Sequence, residues 1–199
     1  MNTVFVDVDS QLDFMYPAGA LYVPRAERIV PAIAVLNRFA AAHGHTVIST
    51  TDAHAENDPE FTQWPPHCVA GTWGQHKPEA TLLERRVVMP NRECPFELAG
   101  AQQIMVEKQT VDAFLAPNMA RAIAALRGER FVVYGVVTEV CVRHAVRGLR
   151  KLGHAVAIVT DAIEALSDAG GRQALDEMWA SGVTTATVSE ITGLSHTRG

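Results

Sequence analysis

The chain has 199 residues, of which 48% are hydrophobic, and it carries a formal net charge of −5. This size predicts one domain over residues 1–199 with one substantial core. Acidic and basic residues are interspersed, with no basic run typical of nucleic-acid or anionic-membrane binding and no apolar stretch of transmembrane length. We therefore expect a small-molecule partner, with no nucleic acid and no membrane.

The predicted elements alternate between short β-branched runs and amphipathic helical patterns. The predicted strands are 4–9, 46–51, 104–108, 131–137, 155–160 and 184–188. The predicted helices are 24–43, 119–126, 139–152 and 172–180. This alternation is typical of βαβ units. It predicts an α/β fold, a three-layer αβα, Rossmann-like parallel sheet of about six strands with helices on both faces.

Two further segments lack this alternation. Residues 52–100 form a long polar, proline-rich connection with little periodicity, and connections of that length often carry function. We expect active-site and metal-binding residues there. Residues 195–199 are predicted to be a loose tail.

Reactive or charged residues stand at the ends of four predicted strands. Asp9 ends the first strand, Asp52 follows the second, Lys108 ends the third and Cys141 follows the fourth. Ligands of open parallel sheets bind at the carboxyl ends of the strands, where the winding direction reverses. The pattern predicts that these four residues share one site.

Cys141 begins a predicted helix directly after a buried strand and a glycine. The first turn of a helix favours thiolate, so this position suits a nucleophile with a lowered pKa, although a small buried core cysteine is an alternative. His144 invites a Cys–His dyad, but residues three apart point along the helix surface, which favours an ordinary helix histidine. Cys68 and Cys94 form no C-x-x-C pair, and the odd cysteine count predicts reduced thiols in a cytoplasmic protein.

The long connection also contains a candidate metal site. Asp52, His54 and His67 supply a carboxylate and two imidazoles, a ligand set that suits zinc, iron or manganese. A surface histidine is the alternative for His67. Glu60 is a further candidate ligand, and Asp58 is a less favoured one.

Several motifs together resemble the nicotinamidase and isochorismatase-like cysteine hydrolase superfamily, and within it nicotinamidases most closely. Four segments carry the resemblance: V-D-S-Q-L-D-F at 8–14, P-A-G-A-L at 17–21, W-P-P-H-C-V-A-G-T at 64–72 and G-V-V-T-E-V-C-V at 135–142, with D-A-H at 52–54 between them. They are similar to the family's V-D-x-Q-x-D-F, P-G-G-A-L, D-x-H, W-P-x-H-C-V-x-G-T and G-V-x-T-x-x-C-V, which follow one another in this order along the chain.

The resemblance implies a catalytic triad of Asp9, Lys108 and Cys141. Asp9 would accept the thiol proton and later deliver it to the leaving amine, while Lys108 adjusts the pKa of that carboxyl group. Cys141 would attack an amide carbonyl, with the oxyanion held by the backbone N–H groups of Val137 and Cys141. A non-proline cis peptide bond between Val136 and Val137 is also implied.

The resemblance further implies a substrate and a cofactor. Nicotinamide or a similar aromatic carboxamide would be hydrolysed to nicotinate and ammonia through a thioester, as in NAD salvage. A divalent ion on Asp52, His54 and His67 would bind the pyridine nitrogen, and Phe14 and Trp64 are candidate walls for the ring. We also expect a homo-oligomer.

Differences from the family leave the substrate open. Residues 52–54 read D-A-H where nicotinamidases often read D-W-H, and residues 108–114 read K-Q-T-V-D-A-F where an aromatic Y-S-A-F segment often follows the lysine. One alternative is a metal-free relative acting on isochorismate, an N-carbamoyl compound or a ureido acid. Another is a non-catalytic binding or redox-sensing protein, which would require loss of a triad residue. Asp7 and Asp13 are predicted to be structural.

Overall fold

The structure of the chain is a computed structural model that describes residues 2–98 and 100–193. The strands are β1 (Thr3–Val8), β2 (Thr46–Asp52), β3 (Arg86–Met89), β4 (Gln103–Lys108), β5 (Arg130–Gly135), β6 (Ala155–Ile163) and β7 (Thr184–Ala186). The α-helices are α1 (Leu12–Met15), α2 (Val30–Ala42), α3 (Met119–Leu126), α4 (Arg143–Lys151), α5 (Asp168–Ala180) and α6 (Val188–Thr192). The predicted tail at 195–199 lies outside the described residues.

The seven strands form one parallel sheet in the order β3-β4-β2-β1-β5-β6-β7. The α/β class and the parallel sheet are confirmed, but the sheet has seven strands rather than about six. The additional strand is β3, from the segment predicted to be irregular. It is a four-residue edge strand whose Arg86 and Val88 are exposed, so its sequence carries no buried run.

The sheet is covered on both faces because neighbouring side chains of a strand point to opposite sides. Val4, Val6 and Val8 of β1 pack in a core with α3, α4 and α5. Phe5 packs on the other face in a second core with α2 and α6. The two cores explain why the β1 sequence is almost continuously apolar.

Several predicted bounds shift in the structure. The helix predicted over 24–43 is a 3-10 turn, Ala26–Ile29, followed by α2. The strand predicted over 184–188 ends at Ala186, because Thr187 and Glu190 form a capping box that begins α6. Within the described residues, the helices are all too short or too polar to cross a membrane.

Candidate active site and metal centre

The four strand-end residues meet at one edge of the sheet. β1 lies between β2 and β5, and β4 borders β2. Asp52 and Lys108 are directly paired in the β2–β4 register. Asp9 follows β1, and Cys141 follows β5 on the other side of it. The strands that follow β1 in the chain are first added on its β2 side, and later strands are added on its β5 side. The site therefore lies where the winding direction of the sheet reverses.

Lys108 lies at the centre of this group, and its side chain is 1% exposed. Its Nζ is 2.9 Å from Asp9 Oδ2 and 3.9 Å from Cys141 Sγ, and it also donates a hydrogen bond to Asp52 Oδ1. Burial lowers the pKa of Lys108, but the charges of Asp52 and Asp9 outweigh it and raise the pKa well above its ordinary value. The lysine is therefore a permanent cation between two carboxylates.

The Asp9 carboxyl group is suited to accept and return a proton. Burial raises its pKa, and the charge of Asp52 adds to the rise, while Lys108 and a hydrogen bond from Thr50 oppose it. Thr50 Oγ1 donates to Asp9 Oδ1 at 2.6 Å, and Asp9 Oδ2 lies 2.9 Å from Lys108 Nζ. A carboxyl group with a raised pKa next to a thiol can act as base in one step and acid in the next.

The pKa of the Cys141 thiol differs from the value expected from the sequence. It lies in a π-helical turn, Thr138–Val142, that precedes α4, and burial raises its pKa well above the ordinary value. Lys108 lowers the pKa only in part, and the charge of Asp9 raises it further. The prediction of a lowered pKa was wrong because the loss of hydration on burial outweighs the nearby charge of Lys108. Cys141 therefore needs a nearby base, and the Asp9 carboxylate, whose charge helps to raise the pKa of the thiol, is the candidate.

The turn before Cys141 has an unusual backbone. Gly135 has φ +112°, and a Cβ there would lie 2.1 Å from the Val8 carbonyl oxygen, so only glycine fits. The Val136–Val137 peptide bond is cis, as the resemblance implied. Val137 and Cys141 both line the cavity in front of the thiol.

Asp52, His54 and His67 form a cluster suited to a metal ion. One ligand atom from each lies within 4.8 Å of the others, and all three residues are buried. Asp52 Oδ2 is 3.8 Å from His54 Nε2 and 3.6 Å from His67 Nε2. Three protein ligands of this kind, with room for further ligands, are typical of a catalytic divalent metal site.

The second nitrogen of each imidazole ring faces an oxygen atom. His54 Nδ1 is 3.1 Å from Asp58 Oδ2, and His67 Nδ1 is 2.7 Å from the Pro65 carbonyl oxygen. Carboxylate and carbonyl partners of this kind fix the ring and direct the other nitrogen at a metal. His54 Nε2 is buried and has no hydrogen-bond partner among the described residues. The residues therefore fit a bound divalent ion.

The two acidic residues that follow His54 contribute differently. Asp58 contacts His54 rather than the Asp52 side of the cluster, so it supports a ligand instead of being one. Glu60 is outside the set of atoms within 4.8 Å of one another, but it lines the adjoining cavity. Burial and the charge of Asp52 raise the pKa of Glu60.

A small cavity of about 30 Å³ opens between the thiol and the metal cluster. Its lining is mainly apolar and comprises Phe14, Leu21, Val23, Asp52, Glu60, Trp64, His67, Val111, Val137, Val140, Cys141 and Leu166. Phe14 and Trp64, the predicted ring walls, both belong to it. Among these lining residues there is no lysine or arginine.

Sequence reasoning missed side chains that hold the site in place. Gln11 Oε1 accepts from the Asp52 N–H at 2.7 Å, and Gln11 Nε2 donates to the Asp52 carbonyl at 2.8 Å. Gln11 thus fixes the end of β2. The glutamine in the V-D-x-Q motif was the available signal, but a sequence does not show which backbone an amide faces.

The rival residues have structural roles. His144 Nδ1 is 3.8 Å from Asp112 on the half-exposed side of α4, which favours the ordinary helix histidine. Asp13 accepts hydrogen bonds from the N–H groups of Ala20 and Cys68, at 2.8 and 2.7 Å. Cys68 is fully buried, and burial raises its pKa far above that of a reactive thiol.

Comparison with known proteins identifies the family of the chain. A family model described as the isochorismatase domain matches residues 3–92 and 90–190. The chain is 26% identical to a nicotinamidase of Escherichia coli (strain K12), over 92% of this chain and 93% of that one. It is 22% identical to a nicotinamidase of Saccharomyces cerevisiae, over 84% and 90%. A pyrazinamidase of Pyrococcus horikoshii in complex with zinc shares 25% identity with a TM-score of 0.78, covering 94% and 99%.

Proposed function

The chain belongs to the isochorismatase domain family and is a hydrolase of amide C–N bonds, and we propose that it hydrolyses nicotinamide or a similar aromatic carboxamide with a divalent metal ion. The observation that carries the proposal is the position of Lys108 Nζ, which lies between the Asp9 carboxylate and Cys141 Sγ and also contacts Asp52 of the metal cluster. The Lys108 cation therefore contacts the proposed nucleophile, the proposed base and one of the candidate metal ligands.

The proposed reaction begins with the protonated thiol. Asp9 takes the proton from Cys141 as the sulfur attacks the carboxamide carbon, so no free thiolate has to form beforehand. The negative charge that develops on the carbonyl oxygen is stabilised by the backbone N–H groups of Val137 and Cys141. Lys108 offsets the negative charge of Asp9 while that carboxyl group is ionised.

The second half releases the two products. Asp9 gives its proton to the amine, the C–N bond breaks, and ammonia leaves a thioester on Cys141. Water then attacks the thioester carbon and gives its proton to Asp9. The C–S bond breaks, the acid product leaves, and Asp9 returns the proton to the sulfur.

The metal residues would orient the substrate. When bound to Asp52, His54 and His67, zinc, iron or manganese supplies a Lewis acid for a ring nitrogen and for ordered water. Glu60 lies at the rim of the same cavity and is a further candidate ligand. Phe14 and Trp64 would enclose the ring.

The charge of the cavity favours a neutral substrate. Asp52 and Glu60 line it, and none of its lining residues is a lysine or arginine. Ureido acids, N-carbamoyl amino acids and isochorismate carry carboxylates, and none of the residues lining the cavity is a lysine or arginine that could pair with them. The alternative activity on such substrates therefore has less support than carboxamide hydrolysis.

Ammonia release across a substrate panel tests the proposal. The panel contains nicotinamide, pyrazinamide, a neutral ureido compound and an N-carbamoyl amino acid, each with metal-free protein and with added zinc, iron or manganese. We expect metal-dependent release from the two aromatic amides. Cys141→Ala should lower it by at least about 10⁴-fold, and Cys94→Ala should not.

Two results would contradict the proposal. Release from the N-carbamoyl compound alone would favour the alternative activity. Full activity after complete metal removal would show that a metal ion on Asp52, His54 and His67 takes no part in the reaction.

The biological setting follows from this chemistry. Nicotinate released from nicotinamide is a starting material for NAD salvage. The three cysteines are free, which fits the reducing cytoplasm expected from the sequence. The homo-oligomer stays a prediction.

A further inference from the structure

A second buried ammonium–carboxylate pair lies beside the candidate site. Lys77 Nζ is 2.9 Å from Asp7 Oδ2, and both side chains are 0% exposed. Asp7 belongs to β1, two residues before Asp9, and Lys77 follows a 3-10 turn, Trp73–Gln75, of the long connection. The proposed reaction uses neither residue. Two charges without water require full hydrogen bonding, so the partners of this pair show what it holds.

The pair reaches the residue next to the catalytic acid. Lys77 Nζ donates to Ser10 Oγ at 2.5 Å, and Ser10 Oγ donates to Asp7 Oδ1 at 2.6 Å. Asp7 Oδ2 also accepts from Asn37 Nδ2 at 3.1 Å, which ties the pair to α2. The Ser10 side chain is therefore fixed between the two charges.

Asp9 itself has a backbone conformation that needs such support. Its φ is +46°, in the left-handed region that residues with a Cβ seldom adopt. This turn at the end of β1 directs the Asp9 carboxylate to Lys108 and Cys141. Conformations of this kind persist where their surroundings hold them. Thr50 holds Asp9 on one side, with the Asp9 N–H 3.1 Å from the Thr50 carbonyl oxygen, and Ser10 continues the chain on the other.

The connection that carries Lys77 also binds the two residues after Ser10. The Leu12 N–H donates to the His76 carbonyl at 2.7 Å, and Gln11 Nε2 donates to the Gln75 carbonyl at 2.8 Å. Residues 75–77 thus contact each residue of 10–12. Of these contacts, only that of Lys77 comes from a charged side chain.

We propose that Lys77 is a positioning residue, which holds Ser10 through the Asp7 pair so that the Asp9 carboxylate faces the Cys141 thiol. This inference rests on the proposed function of Asp9 as the base. It assigns a role to a buried lysine that touches no reacting atom.

The main test is the double variant Asp7→Asn, Lys77→Met. The double variant removes both charges of the pair. The single variant Lys77→Met would instead leave the Asp7 carboxylate buried without its cation. Lys151→Met is the matched control, because Lys151 is exposed at the end of α4. We expect kcat on nicotinamide to fall about 10²-fold, as for an ångström-scale misplacement of a catalytic group. KM should stay within about twofold and zinc content per chain should be unchanged, because ring and metal contacts are intact.

An unchanged kcat overturns the proposal. So does a loss of zinc that parallels the loss of kcat, since Lys77 would then support the metal residues instead. A comparable rise in KM alone also overturns it.

A second measurement needs no turnover. Iodoacetamide alkylation of Cys141 and Cys94 is followed by peptide mass spectrometry, with Cys94 as the internal reference. A displaced Asp9 changes both the proton acceptor and the charge beside the sulfur. The Cys141 rate in the double variant should therefore differ at least about threefold from wild type, while Cys94 is unaffected. An equal rate overturns the inference even if no amide is a substrate, whereas a wild type that releases no ammonia contradicts only the proposed function.

Discussion

The proposed triad and the candidate metal cluster are adjacent, yet the chain builds them in different ways. Lys108 and Asp9 stand at or directly after strand ends, where the parallel ladder of β1, β2 and β4 sets their spacing. His54 and His67 lie in the connection between β2 and β3, where the backbone is irregular. Asp52 belongs to both, since it ends β2 and faces the two histidines.

We call Asp52, His54 and His67 with their connection the metal half, and Asp9, Lys108 and Cys141 the triad half. The metal half is held by individual side-chain hydrogen bonds and not by the hydrogen bonds between parallel strands. Asp13 Oδ2 accepts from the Cys68 N–H at 2.7 Å, and the Cys68 carbonyl accepts from the His54 N–H at 3.1 Å. Cys68 has φ +44°, a left-handed conformation that this hydrogen bond supports. A single substitution at Asp13 or Cys68 can therefore disturb the metal half, whereas in the triad half the strand ladder and the Asp7–Lys77 pair share the support.

Lys108→Met should have the largest effect because Lys108 contacts both halves. It leaves Asp9 and Asp52 buried without their cation, which should destabilise the metal-free protein by about 3–5 kcal/mol. kcat should fall at least about 10³-fold, since the base and the nucleophile lose their shared charge. Denaturant unfolding and ammonia release measure the two effects.

The control for this variant is Lys151→Met, the same substitution at an exposed lysine. It should change neither stability nor kcat appreciably. Wild-type stability in metal-free Lys108→Met would mean that the two carboxylates are not held by Lys108.

Gly74→Ala should disturb the metal half selectively. A Cβ at Gly74 would lie 2.1 Å from the Asp13 carboxylate, so Asp13 must move and release the Cys68 N–H. Crowding of this kind costs about 1–3 kcal/mol. We expect zinc affinity, measured by titration with a competing chelator, to fall at least about tenfold.

Gly153→Ala separates this effect from general destabilisation. Gly153 has φ +86° with open space around it, so alanine there strains a turn far from the metal. It should cost about 1 kcal/mol and leave zinc affinity unchanged. Equal zinc affinity in Gly74→Ala and Gly153→Ala would show that Asp13 does not organise the metal loop.

The same division explains what the sequence could predict. Strand-end residues such as Lys108 follow from hydrophobic runs and the parallel-sheet rule, since each run ends at a definite residue. The edge strand β3 could not be predicted, because four residues with exposed Arg86 and Val88 give no periodic signal. Regular elements leave a pattern in the sequence, and short edge elements do not.

Long-range side-chain partners were also beyond the sequence. Gln11 and Lys77 reach residues 41 and 67 positions away in the chain, and no local pattern encodes such contacts. The thiol pKa was misjudged for a related reason. Helix position can be predicted from sequence, but the burial that raises the pKa of Cys141 depends on the packed structure.

Asp58→Asn should have the smallest effect, and it tests how far one side chain controls the metal cluster. Asp58 uses both carboxylate oxygens, since Oδ1 accepts from the Glu60 N–H at 2.9 Å and Oδ2 contacts His54 Nδ1 at 3.1 Å. Asparagine has one acceptor oxygen, so it can retain the turn or the histidine contact, but not both. We expect zinc affinity to fall about tenfold through the loss of ring orientation.

Asp112→Asn is the matched control for this prediction. Asp112 Oδ1 accepts from the Phe114 N–H at 2.9 Å and begins a 3-10 turn in the same way, and its other oxygen is 3.8 Å from His144 rather than a metal ligand. Both variants weaken a turn, but only Asp58→Asn should lower zinc affinity. If both lower it equally, the His54 ring is held by the fold of the loop and not by its carboxylate partner.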